Sequence, residues 1–150
     1  MLKKAMVPVA VLGAGLCLAA SAQAAMLKVR ESKQFGDYLT DGVGRALYMF
    51  SGDTQGTPHA KPKVTCVDAC LATWTPLYEG TKLDADRNTV DVGMINTVTA
   101  DDGKIVTYAG WPLYYGINDM GATQPKTTGE TQFGGTWYLV DPAGHPIEKK

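Results

Sequence analysis

Residues 95–119 read INTVTADDGKIVTYAGWPLYYGIND. Two runs rich in Ile, Val, Thr and Tyr flank the dipeptide Asp102-Gly103. Such residues favour strands, and Asp-Gly tolerates the positive φ angles of a tight turn, so the stretch predicts a β-hairpin. It ends with Leu113-Tyr114 three residues after Gly110, and with Asp119 five residues after the tyrosine. The same pattern stands earlier as GRALYMFSGD (44–53), where Tyr48 precedes Asp53. Tyr48 and Tyr114 are 66 residues apart, and so are Asp53 and Asp119. Downstream, ATWTPL (72–77) matches GTWYLV (135–140), which sets Trp74 and Trp137 63 residues apart.

Two units therefore share one order: Gly, a Leu-Tyr strand, Asp, a long polar loop and a Trp strand. They span about 37–80 and 98–141. The loops SGDTQGTPHAKPKVT (51–65) and GINDMGATQPKTTGETQFGG (116–135) occupy equivalent places. Loops of this length in a compact domain are usually functional or mobile. Further strands are expected in MLKVRES (26–32), on either side of Asp41-Gly42 in DYLTDGVGRALYMF (37–50), and in TWYLVD (136–141) before the turn DPAG (141–144). Only CVDACLAT (66–73) looks helical. Two copies are too few for a solenoid, so the expected fold is mainly β: a small single-domain sandwich or barrel built from two pseudo-symmetric repeats, with one short helical turn at the cysteine pair.

Met1-Leu-Lys-Lys followed by the uncharged run 5–20 and SAQA predicts a signal peptide over 1–24, cut after Ala24. The expected product, 25–150, is periplasmic or secreted, with no stable membrane insertion. Removing 1–24 takes away two lysines and no acids, leaving 12 basic against 15 acidic residues and a net charge of −3. That balance argues against a nucleic-acid partner. Cys66 and Cys70 remain, and in an oxidising compartment an even count predicts a disulfide. One helical turn between them would set the Cα atoms roughly 6 Å apart, within disulfide range.

The motifs resemble those of a secreted or lipoprotein repeat family of unknown function marked by Tyr-x-aromatic-x-x-Asp, here Tyr48-Met49-Phe50-Ser51-Gly52-Asp53. LTDGVGRALY (39–48), CVDACLATWTPL (66–77) and VTADDGKIVTYAGWPLYYGIND (98–119) carry the resemblance, which covers residues 37–141. It implies an exported β-protein and leaves the biochemistry open. The second copy departs from the family pattern. Gly116 stands where an aromatic is usual, Val106 where a Trp is usual, and Met120-Gly121-Ala122 replaces a Gly-Asp pair.

Tyr48 and Phe50 lie two apart on one strand and share a face. The structural expectation is a core aromatic pair, with Asp53 accepting backbone N–H bonds at a turn. The functional alternative makes Asp53 and Asp119 a matched pair at the loop mouths, with Tyr48, Phe50, Trp74, Tyr114 and Trp137 around a ligand. No cofactor is expected. An alternative metal site would use His59, Cys66 and Cys70, with Met49 or Met120 as a further soft ligand. Catalytic residues are not expected: His59 and His145 are the only histidines, Ser32 and Ser51 the only serines after residue 24, and no nucleophile elbow or nucleotide loop is present. The reading is a non-enzymatic binding or interaction module of the cell envelope, partner unspecified, with an accessory redox or copper-handling protein as the alternative.

Overall fold

The computed structural model describes residues 25–122 and 124–148; the signal-peptide expectation for 1–24 lies outside them. Among the described residues the chain is mainly β, in three sheets. The central one runs β10 (Glu130–Gln132), β11 (Gly135–Val140), β3 (Tyr48–Phe50), β9 (Tyr114–Gly116), β4 (Trp74–Pro76), and β12 (Pro146–Ile147) pairs with β11. A second sheet joins β2 (Tyr38–Asp41), β1 (Ala25–Arg30) and β5 (Leu83–Ala85). The third is the hairpin read from the sequence, β6 (Ile95–Ala100) and β7 (Gly103–Tyr108), extended by β8 (Trp111–Pro112).

Strand alternation explains why the central sheet is buried on both faces. Tyr48, Phe50, Tyr114, Trp74, Trp137 and Leu139 point to one side and form an aromatic core with the cysteine pair. Leu47, Met49, Leu113 and Val140 point to the other, where they meet Leu27, Leu39, Val106 and Tyr108 from the flanking sheets.

The two repeats are interleaved. The Trp strand of the second repeat, β11, pairs with the Tyr strand of the first, β3, in the register Trp137↔Phe50 and Leu139↔Tyr48. The Trp strand of the first, β4, pairs with the Tyr strand of the second, β9, as Trp74↔Gly116 and Pro76↔Tyr114. The registers correspond residue for residue, and Tyr48↔Tyr114 closes the gap between the halves. A pseudo-twofold axis therefore passes through that tyrosine pair. Across it Trp74 and Trp137 stack with centroids 3.9 Å apart and planes within 1°. Tyr48 meets Trp74 edge-on at 5.2 Å, and Tyr114 meets Trp137 in the same way at 5.2 Å. Phe50 stacks on the outer face of Trp137 at 4.3 Å. Its counterpart is Gly116, where a Cβ would approach Trp74 to 3.0 Å and the Thr127 hydroxyl to 3.1 Å. The missing aromatic of the second copy is thus filled by Thr127.

A further duplication was not read from the sequence. In LTDGVGR (39–45) and LVDPAGH (139–145), the Asp N–H donates to the carbonyl of the residue four on at 2.9 Å in both. The Gly44 and Gly144 N–H groups each return to the Asp carbonyl at 3.0 Å. The carboxylates of Asp41 and Asp141 accept from the Arg45 and His145 N–H groups at 2.9 and 2.7 Å. Both glycines have positive φ, +91° and +85°, which only glycine adopts without strain. The second turn leads into β12, which pairs Pro146 and Ile147 with Val140 and Leu139.

The expected helical turn at the cysteines is a single 3-10 turn, Asp68–Cys70, and Cys66 and Cys70 are joined by a disulfide with Cα atoms 5.3 Å apart. A second 3-10 turn, Val92–Met94, leads directly into β6 and was not expected. The Asp91 carboxylate accepts the Gly93 N–H there at 2.8 Å and holds the chain out of the extended form.

Because the tryptophan stack joins the halves, Trp137→Ala is expected to cost about 3–5 kcal/mol in urea denaturation, the range for deleting a large buried aromatic. A loss under about 1 kcal/mol would show that the halves are held by other contacts.

Candidate functional site

The two motif aspartates are each reached by the tyrosine of the other repeat. The Tyr114 hydroxyl donates to Asp53 Oδ2 at 2.7 Å, and the Tyr48 hydroxyl donates to Asp119 Oδ2. Each carboxylate also ties down its own loop. Asp53 Oδ1 accepts from the Thr65 N–H at 2.7 Å and from the Thr65 hydroxyl at 3.0 Å. Asp119 accepts from the Lys126 N–H at 3.0 Å and from the Thr127 hydroxyl at 3.1 Å. Each aspartate therefore closes a loop, onto the residue twelve positions on in one case and eight in the other, and anchors it to the core.

Asp53 is buried and Asp119 is half-buried. Burial holds the Asp53 carboxyl above its usual range, against the pull of the Tyr114 and Thr65 donors. The Tyr114 hydroxyl is pushed far above its usual value by burial first, then by the Asp53 charge. Tyr48 moves the same way, by burial and by its bond to Asp119. Such tyrosines remain protonated donors at any pH the fold meets. The motif hydroxyls and carboxylates are spent on one another, and Tyr48, Phe50, Trp74, Tyr114 and Trp137 are all fully buried. These residues converge on the axis and present no ring to a ligand.

The first loop presents the accessible surface. Its start is pinned to the turn between β7 and β8: the Gly56 N–H donates to the Gly110 carbonyl at 2.8 Å, and the Gln55 amide donates to the Ala109 carbonyl at 2.8 Å. Gly110 has φ +83°, and a Cβ there would fall onto the Gly56 carbonyl oxygen. The disulfide pins the other end of the loop. Between these points the loop lies over one face of the β6–β7 hairpin and frames two open grooves. One, of about 360 Å³, has an apolar wall of Val64, Val67, Leu71, Pro76, Val98 and Ile105, with Asp101 and Asp102 at its rim. The other, of about 670 Å³, is the more polar of the two, with Thr57, His59, Lys61, Asn96, Thr97 and Thr107 beside apolar residues such as Met94. Pro62 lines both.

His59 is exposed, whereas the cysteines are buried and bonded to each other. Among the described residues no three His, Cys, Asp or Glu side chains converge as a metal site. Around the second loop, Ile117, Met120 and Phe133 are exposed. Residues that the sequence reading missed are Asp41, Arg45 and Tyr115. The Arg45 guanidinium sits 2.6 Å from Asp41 and 4.3 Å above the Tyr115 ring, and the Tyr115 hydroxyl donates to Asp41 at 3.0 Å. Their signal was the repeated Leu-x-Asp-x-x-Gly-basic pattern at 39–45 and 139–145.

The segment from β6 to the start of β12 contains the hairpin, Tyr114, Asp119 and Trp137 in the order and pairing just described. Residues 96–146 match the model of a family described as a secreted repeat of unknown function. The match to this secreted repeat takes in the second copy with the hairpin before it. The first copy is tied to it by the internal match of motif, register and hydrogen bonds. No curated protein and no solved structure matches the chain. No helix among the described residues is long and apolar enough to cross a membrane.

Tyr48→Phe and Tyr114→Phe are each expected to cost about 1.5–3 kcal/mol, the range for removing a hydrogen bond to a charged group. Asp53→Asn is expected to cost about 1–2 kcal/mol at pH 7. The folded-state pKa of Asp53 is raised, so its protonation favours the fold: its contribution is fully present below the unfolded pKa and is lost as pH rises through the folded value. The stability gap between the unmodified protein and Asp53→Asn should therefore widen from pH 7 to pH 4 in paired urea titrations. A gap that narrows toward acid would show that the Tyr114 and Thr65 donors outweigh burial. Gly110→Ala combines positive φ with a backbone collision and is expected to cost about 2–4 kcal/mol. Hydrogen exchange should then show the Gly56 and Thr54 amides losing protection while core amides of β3 keep theirs.

Proposed function

We propose that this is an exported, non-enzymatic β-protein that acts as a binding module of the cell envelope, periplasmic in a cell with an outer membrane, and that its binding face is the first loop over the β6–β7 hairpin. The observation that carries this reading is a division of labour. The motif tyrosines and aspartates satisfy one another in the core, while residues 56–64 lie outside it and help to frame two grooves. A loop pinned at both ends by backbone and disulfide presents a surface already organised for binding, which lowers the ordering cost of association. The family description as secreted, together with the closed disulfide, supports the compartment.

Native mass spectrometry of the protein isolated from its own cells, with a thiol titration before and after denaturation, tests this. The expected result is no titratable thiol, no bound metal, and partner association that is lost in Gly110→Ala at a temperature where the fold persists. Two reactive thiols, or copper that survives dialysis and disappears in Cys66→Ser, would overturn it in favour of a redox or metal-handling role through His59, Cys66 and Cys70.

A further inference from the structure

The edges of the three sheets are not alike. Edge strands expose unpaired backbone groups, and natural proteins blunt them by shortness, charge or proline. Among the described strands, β2, β5 and β10 have four, three and three residues and carry Asp41, Asp84 and Glu130. β4, β8 and β12 have three, two and two residues and carry Pro76, Pro112 and Pro146. β6 is six residues long, INTVTA, with no charge and no proline.

The ladder shows which of its backbone groups are free. β6 pairs with β7 in the register Thr97↔Val106 and Thr99↔Lys104, and the Ala109 N–H bonds the Met94 carbonyl directly opposite. Hydrogen-bonded pairs alternate, so residues 96, 98 and 100 bond β7, and 97 and 99 turn their backbone groups outward. The partner strand agrees: Val106 and Lys104 direct their own groups away from β6, to Leu77, Leu113 and Glu79. The Thr97 N–H is covered by the Asn96 side chain at 2.8 Å. The Thr97 carbonyl and both backbone groups of Thr99 have no partner among the described residues.

Asn96, Val98 and Ala100 share one face of β6; Asn96 lines the polar groove and Val98 and Ala100 the apolar one, and Thr97 and Thr99 also line these grooves. A strand added to this edge would place alternate side chains over that face. The residues opposite Asn96 and Ala100 would be four apart, about 13 Å, one over each groove. Lys61, at the polar groove, makes no ion pair among the described residues and suits an acidic side chain. A second copy of β6 would offer only Asn and Ala at those places and leave both grooves unfilled.

We propose that the free edge of β6 binds an extended segment of a partner protein as an added strand, with a bulky apolar side chain in the groove beside the disulfide and an acidic one, four residues away, at Lys61. This rests on the reading of the first loop as the binding face and names the class of partner. Main-chain hydrogen bonds supply the affinity in this mode, and the grooves supply selectivity.

The probes are two fluorescein-labelled peptides, Thr-Glu-Thr-Val-Thr-Leu-Thr and its reversed sequence, titrated against the protein and followed by fluorescence anisotropy. One order is expected to bind saturably, and the same peptide N-methylated at the two amides that would face Thr97 and Thr99 is expected to bind at least about tenfold more weakly. Thr99→Pro deletes only an outward N–H, which an edge strand tolerates, and is expected to weaken binding similarly with unchanged melting. Lys61→Glu should weaken the glutamate peptide and spare its Glu→Lys counterpart. Absence of binding by both orders, or equal binding of the N-methylated peptide, would overturn the proposal. So would sedimentation showing a dimer that Thr99→Pro abolishes, since the occupant would then be a second copy. A partner bound in native mass spectrometry without peptide binding at β6 would sink this inference and leave the binding-module reading standing.

Discussion

The structure depends on one reciprocal exchange: the hydroxyl of each motif tyrosine donates to the carboxylate of the opposite repeat, buried Asp53 in one case and half-buried Asp119 in the other. A carboxylate removed from water needs donors on its oxygens or it destabilises the fold. Here each aspartate takes some donors from its own loop and one from across the axis. Neither repeat supplies its own aspartate's tyrosine donor, and neither completes its own sheet, because each Trp strand pairs with the other repeat's Tyr strand. The polar exchange and the aromatic stack fall on the same axis, so hydrogen bonding and packing specify one arrangement of the halves.

The departures from symmetry are equally physical. The first repeat keeps an aromatic, Phe50, against Trp137, whereas the second has Gly116, and Thr127 fills the space against Trp74. Thr127 also donates to Asp119, so one side chain of the second loop serves both packing and the carboxylate. The first loop meets no such demand. It is fixed by Gly56 against Gly110 and by the disulfide, and its middle stands free over the hairpin. Both loops are anchored to the core through their aspartates, and the first also frames two grooves over the hairpin.

Much of this was legible in residues. The hairpin around Asp102-Gly103, the strand at 135–140 and the disulfide followed from turn chemistry, β-propensity and an even cysteine count. The common face of Tyr48 and Phe50 followed from strand alternation. The turn shared by residues 41–45 and 141–145 was also written in the chain, but its spacing of 100 residues differs from the 66 of the motif, and a search at one period passes over it. The 3-10 turn at Val92–Met94 was not read, because it rests on one local bond, from the Gly93 N–H to the Asp91 carboxylate.

What the sequence determined by itself is local: which segments are strands, where the chain turns, that the unit occurs twice, and that the cysteines pair. Those properties rest on backbone preferences and on contacts within a few residues. Tertiary structure alone decided that the repeats exchange partners, that Tyr48 serves Asp119 and Tyr114 serves Asp53, and that β6 keeps an open edge beside two grooves. These are contacts between residues some 60 to 70 positions apart in the chain. Two copies of one Tyr–Asp motif are consistent with self-pairing as well as with crossing, and only the packed register across the axis selects between them.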